Sequence, residues 1–270
     1  MTKTRRFLRI SFRLSKLVAA LAAGVSGYFL TVKFMGRAGS IPARSAWMRA
    51  MARKFLWALG IELAYVGEPP AHGVLVSNHV SYLDILVHAS RMPLVFISKA
   101  EVAHWPIFGM LSQWAGTLFI RRELRSDVLR IATEMPTVLD AGLVLAFFPE
   151  GTSSSGEGVL PFRAPLLAPL VDNAWQVTPA FLRYELEPGD GAVEDEVAYY
   201  RPETVLGPHL LNLLGKRRVR ATLTYGASRA SGTYRKALAS RLRGEVCALG
   251  GIASEAETAP TFSNEIAPKV

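Results

Sequence analysis

GVLVSNHVSYLD, residues Gly73–Asp84, changes character halfway along. Gly73–Ser77 is a short apolar run with two valines, the pattern of a strand covered on both faces. Asn78-His79 interrupts it, and from Tyr82 the apolar spacing turns helical, predicting a helix over Tyr82–Ser90. A strand that hands polar residues to a turn and then to a helix is the repeating unit of α/β folds.

The same alternation continues on both sides. Further strands are expected at Ile61–Val66, Leu94–Ser98, Thr117–Ile120, Leu143–Phe148, Gln176–Arg183, Val193–Tyr200 and Val219–Tyr225. Further helices are expected near Trp105–Gln113, Ser126–Ala141, Ala164–Asn173, Pro208–Leu214 and Tyr234–Leu249. The expected fold is therefore α/β, a mixed central sheet flanked by helices. Glu185–Glu196 holds six acidic residues with Pro188 and Gly189 and reads as a solvated loop or hairpin. Residues 250–270 have little apolar periodicity and read as a disordered tail.

Charge divides the chain differently. Of 31 Lys/Arg, twelve fall in residues 1–61, which contain no Asp or Glu. The other 209 residues carry 19 basic against 22 acidic groups, so the net charge of +9 is local. That distribution argues against nucleic acid as a partner, because no Lys/Arg stripe interleaved with aromatics runs through the body of the chain. Half the residues are hydrophobic, which excludes global disorder. A single cysteine, Cys247, excludes a disulfide framework and a multi-cysteine metal site.

Between Lys16 and Lys33 runs LVAALAAGVSGYFLTV, sixteen residues without a charge, preceded by Lys3, Arg5, Arg6, Arg9, Arg13 and Lys16. The run is shorter than the ~20 residues a spanning helix usually needs. It reads either as a spanning or re-entrant helix or as an interfacial helix held on anionic lipid, with a cleaved signal or a buried soluble helix fitting less well. Ala43–Leu59 sets Trp47, Met48, Met51, Phe55 and Leu59 at helical spacing. Residues 1–59 are thus expected to be a membrane-associating helical segment attached to an α/β unit spanning residues 60–249.

Chemistry concentrates where strands are expected to end. Asp84 follows His79 by five residues, close enough across a turn to accept from one imidazole nitrogen and leave the other as a general base. The same spacing also describes a helix-capping carboxylate beside an inert histidine. Phe148-Pro149-Glu150-Gly151-Thr152-Ser153 closes an apolar strand with a carboxylate and donor groups suited to a polar head group. Gly116–Arg122 ends another strand in two guanidinium groups suited to an anion. His72, His88, His104 and His209 show no metal-ligand spacing, and no metal site is expected. P-loop, GxSxG, HExxH and GxGxxG patterns are absent from the sequence.

These blocks resemble the glycerolipid acyltransferases. Asn78-His79 with Asp84 matches their NHxxxxD motif, and Phe148–Thr152 matches their FPEGT motif. Gly116–Arg122 is similar to their Gly-to-Arg motif and Val177-Thr178-Pro179 to their late proline motif, in the right order over residues 60–230. The likeness points to the bacterial branch that acylates lysophosphatidic acid or lyso-ornithine lipid. It implies transfer of an acyl chain from acyl-CoA or acyl carrier protein to a lysolipid hydroxyl, with no bound cofactor. It also implies a protein at the cytoplasmic face of a bacterial inner membrane. By resemblance His79 is the base and Asp84 its support, while Asn78, Gly116, Arg122, Glu150, Gly151 and Thr152 meet the substrate. Ser153 stands where many users of lysophosphatidic acid carry Arg, which leaves both acceptors open.

Overall fold

The computed structural model describes residues 3–121 and 124–253. Arg122 and residues 254–270, the larger part of the expected tail, lie outside them. In chain order the helices are α1 (Lys3–Tyr28), α2 (Ile41–Leu59), α3 (Leu83–Arg91), α4 (Phe108–Ala115), α5 (Arg125–Asp140), α6 (Ala168–Asp172), α7 (Val193–Glu196), α8 (Leu206–Leu214) and α9 (Arg235–Gly250). The strands are β1 (Ile61–Val66), β2 (Gly73–Ser77), β3 (Leu94–Lys99), β4 (Leu118–Ile120), β5 (Val144–Phe147), β6 (Gln176–Leu186), β7 (Val219–Tyr225) and β8 (Arg229–Ala230).

The strands form one mixed sheet in the order β1-β7-β6-β2-β5-β3-β4, with β8 on β6. β2, β3, β4 and β5 run parallel, and β6 is parallel to β2 but antiparallel to β7. The expected α/β architecture is present, and the apolar run of β2 has its cause. Leu75 joins the layer of α2 and α3, whereas Val74 and Val76 join the layer of α5, α6 and α9. Side chains of a strand alternate between faces, so two helical layers require the central β2 residues Val74, Leu75 and Val76 all to be apolar.

Three features depart from the sequence-based expectations. Val193–Tyr200 is not a strand: residues 193–196 make a single helical turn and Val197 and Ala198 fold into the core. β6 beyond Ala180 carries no strand on its β2 side, yet this segment does not pair there; Val197 and Ala198 turn inward and the Tyr199 N–H donates to the Val80 carbonyl at 2.8 Å instead. Part of the acidic segment taken for a loop, Glu185–Leu186, extends β6 instead.

The third concerns residues 1–59. α2 is not an appendage, because Trp47, Met48, Met51, Phe55, Leu56 and Leu59 are buried in the same core as β2, β6 and β7. α1 lies along α2 through Ala20, Gly24 and Tyr28, a stripe at i, i+4, i+8. The Trp47 indole donates to the Gly24 carbonyl at 2.8 Å, and Tyr28 stacks on Trp114 of α4 with ring centroids 4.4 Å apart. The basic residues expected to precede the apolar run lie inside α1 itself. Residues Lys3–Lys33 are helical throughout, long and apolar enough to cross a membrane by length and composition.

Candidate active site

Parallel pairing brings the C-terminal ends of β2, β5, β3 and β4 to one edge of the sheet, the position where open α/β sheets receive ligands. β2 delivers Asn78 and His79 there, β5 delivers Phe148–Ser154, and β4 delivers Arg121.

His79 Nδ1 lies 2.7 Å from Asp84 Oδ2. Asp84 is fully buried in the first turn of α3, while 21% of the His79 side chain stays accessible. The turn between them wraps the carboxylate: Val80 and Ser81 donate their backbone N–H groups to Oδ2 at 2.7 and 3.0 Å, and the Tyr184 hydroxyl donates to Oδ1 at 2.8 Å. A buried carboxylate so surrounded is compensated as an anion. With Nδ1 donating to it, the imidazole presents Nε2 as an acceptor.

The FPEGT block holds His79 from behind. Glu150 is buried, and its two oxygens accept from the His79 N–H at 2.6 Å and the Leu160 N–H at 2.8 Å. Ser154 donates its N–H and its hydroxyl to the His79 carbonyl, at 2.8 and 3.1 Å. Phe148 stacks flat on the imidazole, with ring centroids 4.1 Å apart and planes 5° from parallel. Gly151, at φ 80°, gives the loop the left-handed conformation that its return toward His79 needs. Burial raises the Glu150 carboxyl to about 8, outweighing the two backbone donors that lower it.

Most of the other residues expected to meet the substrate are engaged within the protein. Asn78 is buried, with its amide donating to the Leu182 carbonyl at 2.9 Å and accepting from the Leu182 N–H at 2.7 Å. It imitates one more ladder pair between β2 and β6 just where their backbone pairing stops, and so fixes the backbone before His79. Glu150 is likewise occupied with backbone. Gly116 ends α4 at φ 85°, against the Arg44 side chain, and serves the turn into β4. Thr152 is exposed at the site. Arg121 is bound to Asp127, its Nε donating at 3.0 Å and its Nη2 at 3.2 Å, and holds that carboxyl far below the ordinary range. The Ser153 hydroxyl is taken by the Tyr199 carbonyl. Leu182, Tyr184 and Ser154 join the site without an expectation from sequence.

Two rings away from His79 an apolar cavity opens between β3 and helices α2, α3 and α4, lined by Met51, Phe55, Tyr82, Leu86, Phe96 and Leu111 among others. Phe96 lies 5.9 Å from Phe148, so a file of rings leads from His79 to the cavity wall. His88, buried behind Phe148, is held neutral by burial, with its value lowered to about 4.

A polarised histidine at the carboxyl ends of parallel strands, with an apolar cavity two rings away, is an arrangement suited to base-assisted chemistry. A model of the Acyltransferase family matches residues 67–181. Over 192 residues the chain is 38% identical to the 1-acyl-sn-glycerol-3-phosphate acyltransferase of Neisseria meningitidis serogroup B, covering 70% of each chain. Over 215 residues it is 35% identical to the lyso-ornithine lipid O-acyltransferase of Pseudomonas aeruginosa, covering 79% of this chain and 81% of the relative. The crystal structure of the 1-acyl-sn-glycerophosphate acyltransferase PlsC from Thermotoga maritima shares the fold. Its TM-score is 0.64 at 16% identity, over 94% of this chain and 100% of that one. The chain belongs to the Acyltransferase family and is an acyltransferase.

Proposed function

We propose that the protein is a membrane-associated lysolipid O-acyltransferase that converts 1-acyl-sn-glycerol-3-phosphate to phosphatidic acid, with acyl-CoA or acyl carrier protein as donor. The observation that carries this reading is the His79–Asp84 pair, joined through Phe148 and Phe96 to the wall of the apolar cavity. His79 Nε2 takes the proton of the acceptor hydroxyl as its oxygen attacks the thioester carbonyl. The carbon–sulfur bond breaks, the ester forms, and the proton passes from His79 to the departing thiolate. Asp84 steadies the imidazolium in between. The cavity takes the apolar chain, and no step calls for a bound cofactor or metal.

The membrane is the second partner. α1 exposes Phe7, Leu8, Phe12 and Val18, its helical continuation exposes Leu30, and the turn after that exposes Phe34 and Met35. The basic half of α1 is tied to the catalytic body through Arg6, Arg9 and Arg13, which favours a helix lying in the interface over one crossing the bilayer. The inner face of a bacterial inner membrane, anionic and cytoplasmic, fits such a platform.

A second acceptor, lyso-ornithine lipid, is favoured by two observations: Ser153 stands in place of a cation, and Arg121 is already neutralised by Asp127. Parallel assays in mixed micelles, with lysophosphatidic acid or lyso-ornithine lipid and a shared acyl donor, separate the two. The lysophosphatidic reading requires the higher kcat/KM on the phosphate acceptor. His79→Ala is expected to abolish turnover on either acceptor while leaving the circular dichroism unchanged, and substantial retained turnover would end the assignment of the base.

A further inference from the structure

Tyr184 stands 100 residues from Asp84 and outside every motif that carries the family resemblance. It belongs to the half of β6 that continues past the end of β2, where β6 pairs with β7 through Tyr184↔Ala221. The ring is buried, 5% exposed, and its hydroxyl donates to Asp84 Oδ1 at 2.8 Å. The other carboxylate oxygen, Oδ2, receives His79 Nδ1 and the two backbone N–H groups of the turn. Asp84 is therefore divided between two neighbours, the histidine and its turn on one oxygen and Tyr184 on the other.

That division has chemical consequences. The phenol stops the carboxylate from rotating about its own axis, which keeps Oδ2 aligned with the imidazole. It also draws negative charge toward Oδ1, and a carboxylate that shares its charge with one more donor pulls less on the imidazole proton. Without the hydroxyl, Oδ1 would be a buried acceptor left unmet. The donor role is secure across the working range, since burial and the adjacent carboxylate hold the phenol far above its ordinary value. A phenylalanine would fill the same apolar volume; only the hydroxyl reaches Asp84.

We propose that Tyr184 is a positioning residue for acyl transfer, acting through Asp84 to set the orientation and basicity of His79. This rests on the reading of the site given above. Tyr184→Phe preserves the ring and removes the donor. In full-length protein assayed with lysolipid and acyl-CoA in mixed micelles, kcat is expected to fall roughly tenfold, the size of losing one donor to a charged group, with the lysolipid KM within about twofold of the original. The acid limb of the kcat/KM profile moves to higher pH, because the unshared Asp84 charge favours the imidazolium. On an Asp84→Asn background Tyr184→Phe adds little, as the charge it acts on is gone.

Titration of the His79 ring by NMR, assigned by comparison with His79→Gln, reads the same upward shift without any turnover. Wild-type protein that acylates neither lysolipid would overturn the functional reading, while the NMR titration would still decide the role of Tyr184. A folded Tyr184→Phe protein with unchanged kcat and an unshifted His79 titration overturns the proposal. A lower melting temperature with both of those unchanged overturns it equally, because it leaves only packing.

Discussion

At the scale of single residues the site is built by backbone capture. Asp84, Glu150, Ser154 and Asn78 all spend their polar atoms on holding main-chain groups around His79. Glu150 is the most exposed to test by pH. Its native carboxyl titrates near 8 against an ordinary 4.5, so the folded chain binds a proton that the unfolded chain releases. The stability that results is complete below about pH 4.5 and is lost as pH rises toward 8. Denaturant midpoints of the wild type should therefore fall across that window relative to Glu150→Gln, whose midpoint should stay flatter; parallel slopes for the two proteins would contradict the burial argument. His79 and Asp84 were legible in sequence because five residues and one turn separate them. Tyr184 and Leu182 were not, because they arrive through the pairing of β6 with its neighbours, and no local pattern encodes a partner a hundred positions away.

At the scale of elements, the N-terminal cations have a task within the protein itself. Arg9 donates to the Gly215 carbonyl at 2.9 Å, and Arg13 to those of Leu214 and Lys216 at 3.2 and 2.7 Å, at the C-terminal end of α8. Lys16 reaches the Trp57 carbonyl at the end of α2 and lies 3.6 Å above the Trp57 ring, and Arg44 closes α4 through the Gln113 and Trp114 carbonyls. Three helix C-termini, whose last carbonyls lack partners and whose dipoles are negative, are thus met by cations. Arg13→Ala should cost about 1–3 kcal/mol and loosen α1, read as a lower melting temperature and faster proteolysis after residue 13. Gly60 adds a local check: it ends α2 at φ 72°, and a Cβ there would stand 2.3 Å from the Arg13 guanidinium. Gly60→Ala should therefore both strain the turn and displace Arg13, costing more than the roughly 1 kcal/mol expected of the backbone alone.

At the scale of the whole molecule, the proposed membrane platform and the candidate site share one core. Truncation at residue 61 would remove nine buried residues of α2 and unfold the sheet layer above them, so it cannot isolate the role of the platform. Surface substitutions can. Phe7→Ser with Phe12→Ser, both side chains about two-thirds exposed on α1, should lower partitioning into anionic vesicles roughly tenfold or more while leaving turnover of micellar acceptor intact. Unchanged vesicle binding would refute an interfacial α1.

What the sequence determined by itself is periodic or local. The α/β class follows from alternating apolar runs, the reactive pair from a five-residue spacing, and the basic start from counting. Tertiary structure decided everything that depends on which edges and faces are free. Val193–Tyr200 gave up a strand as Val197 and Ala198 turned into the core, α2 became core because the sheet needed a cover, and five of the twelve cations, Arg6, Arg9, Arg13, Lys16 and Arg44, turned inward to unmet carbonyls or amides. Hydrophobic spacing records what a segment can bury, but the partner that buries it is chosen only when the chain is closed on itself.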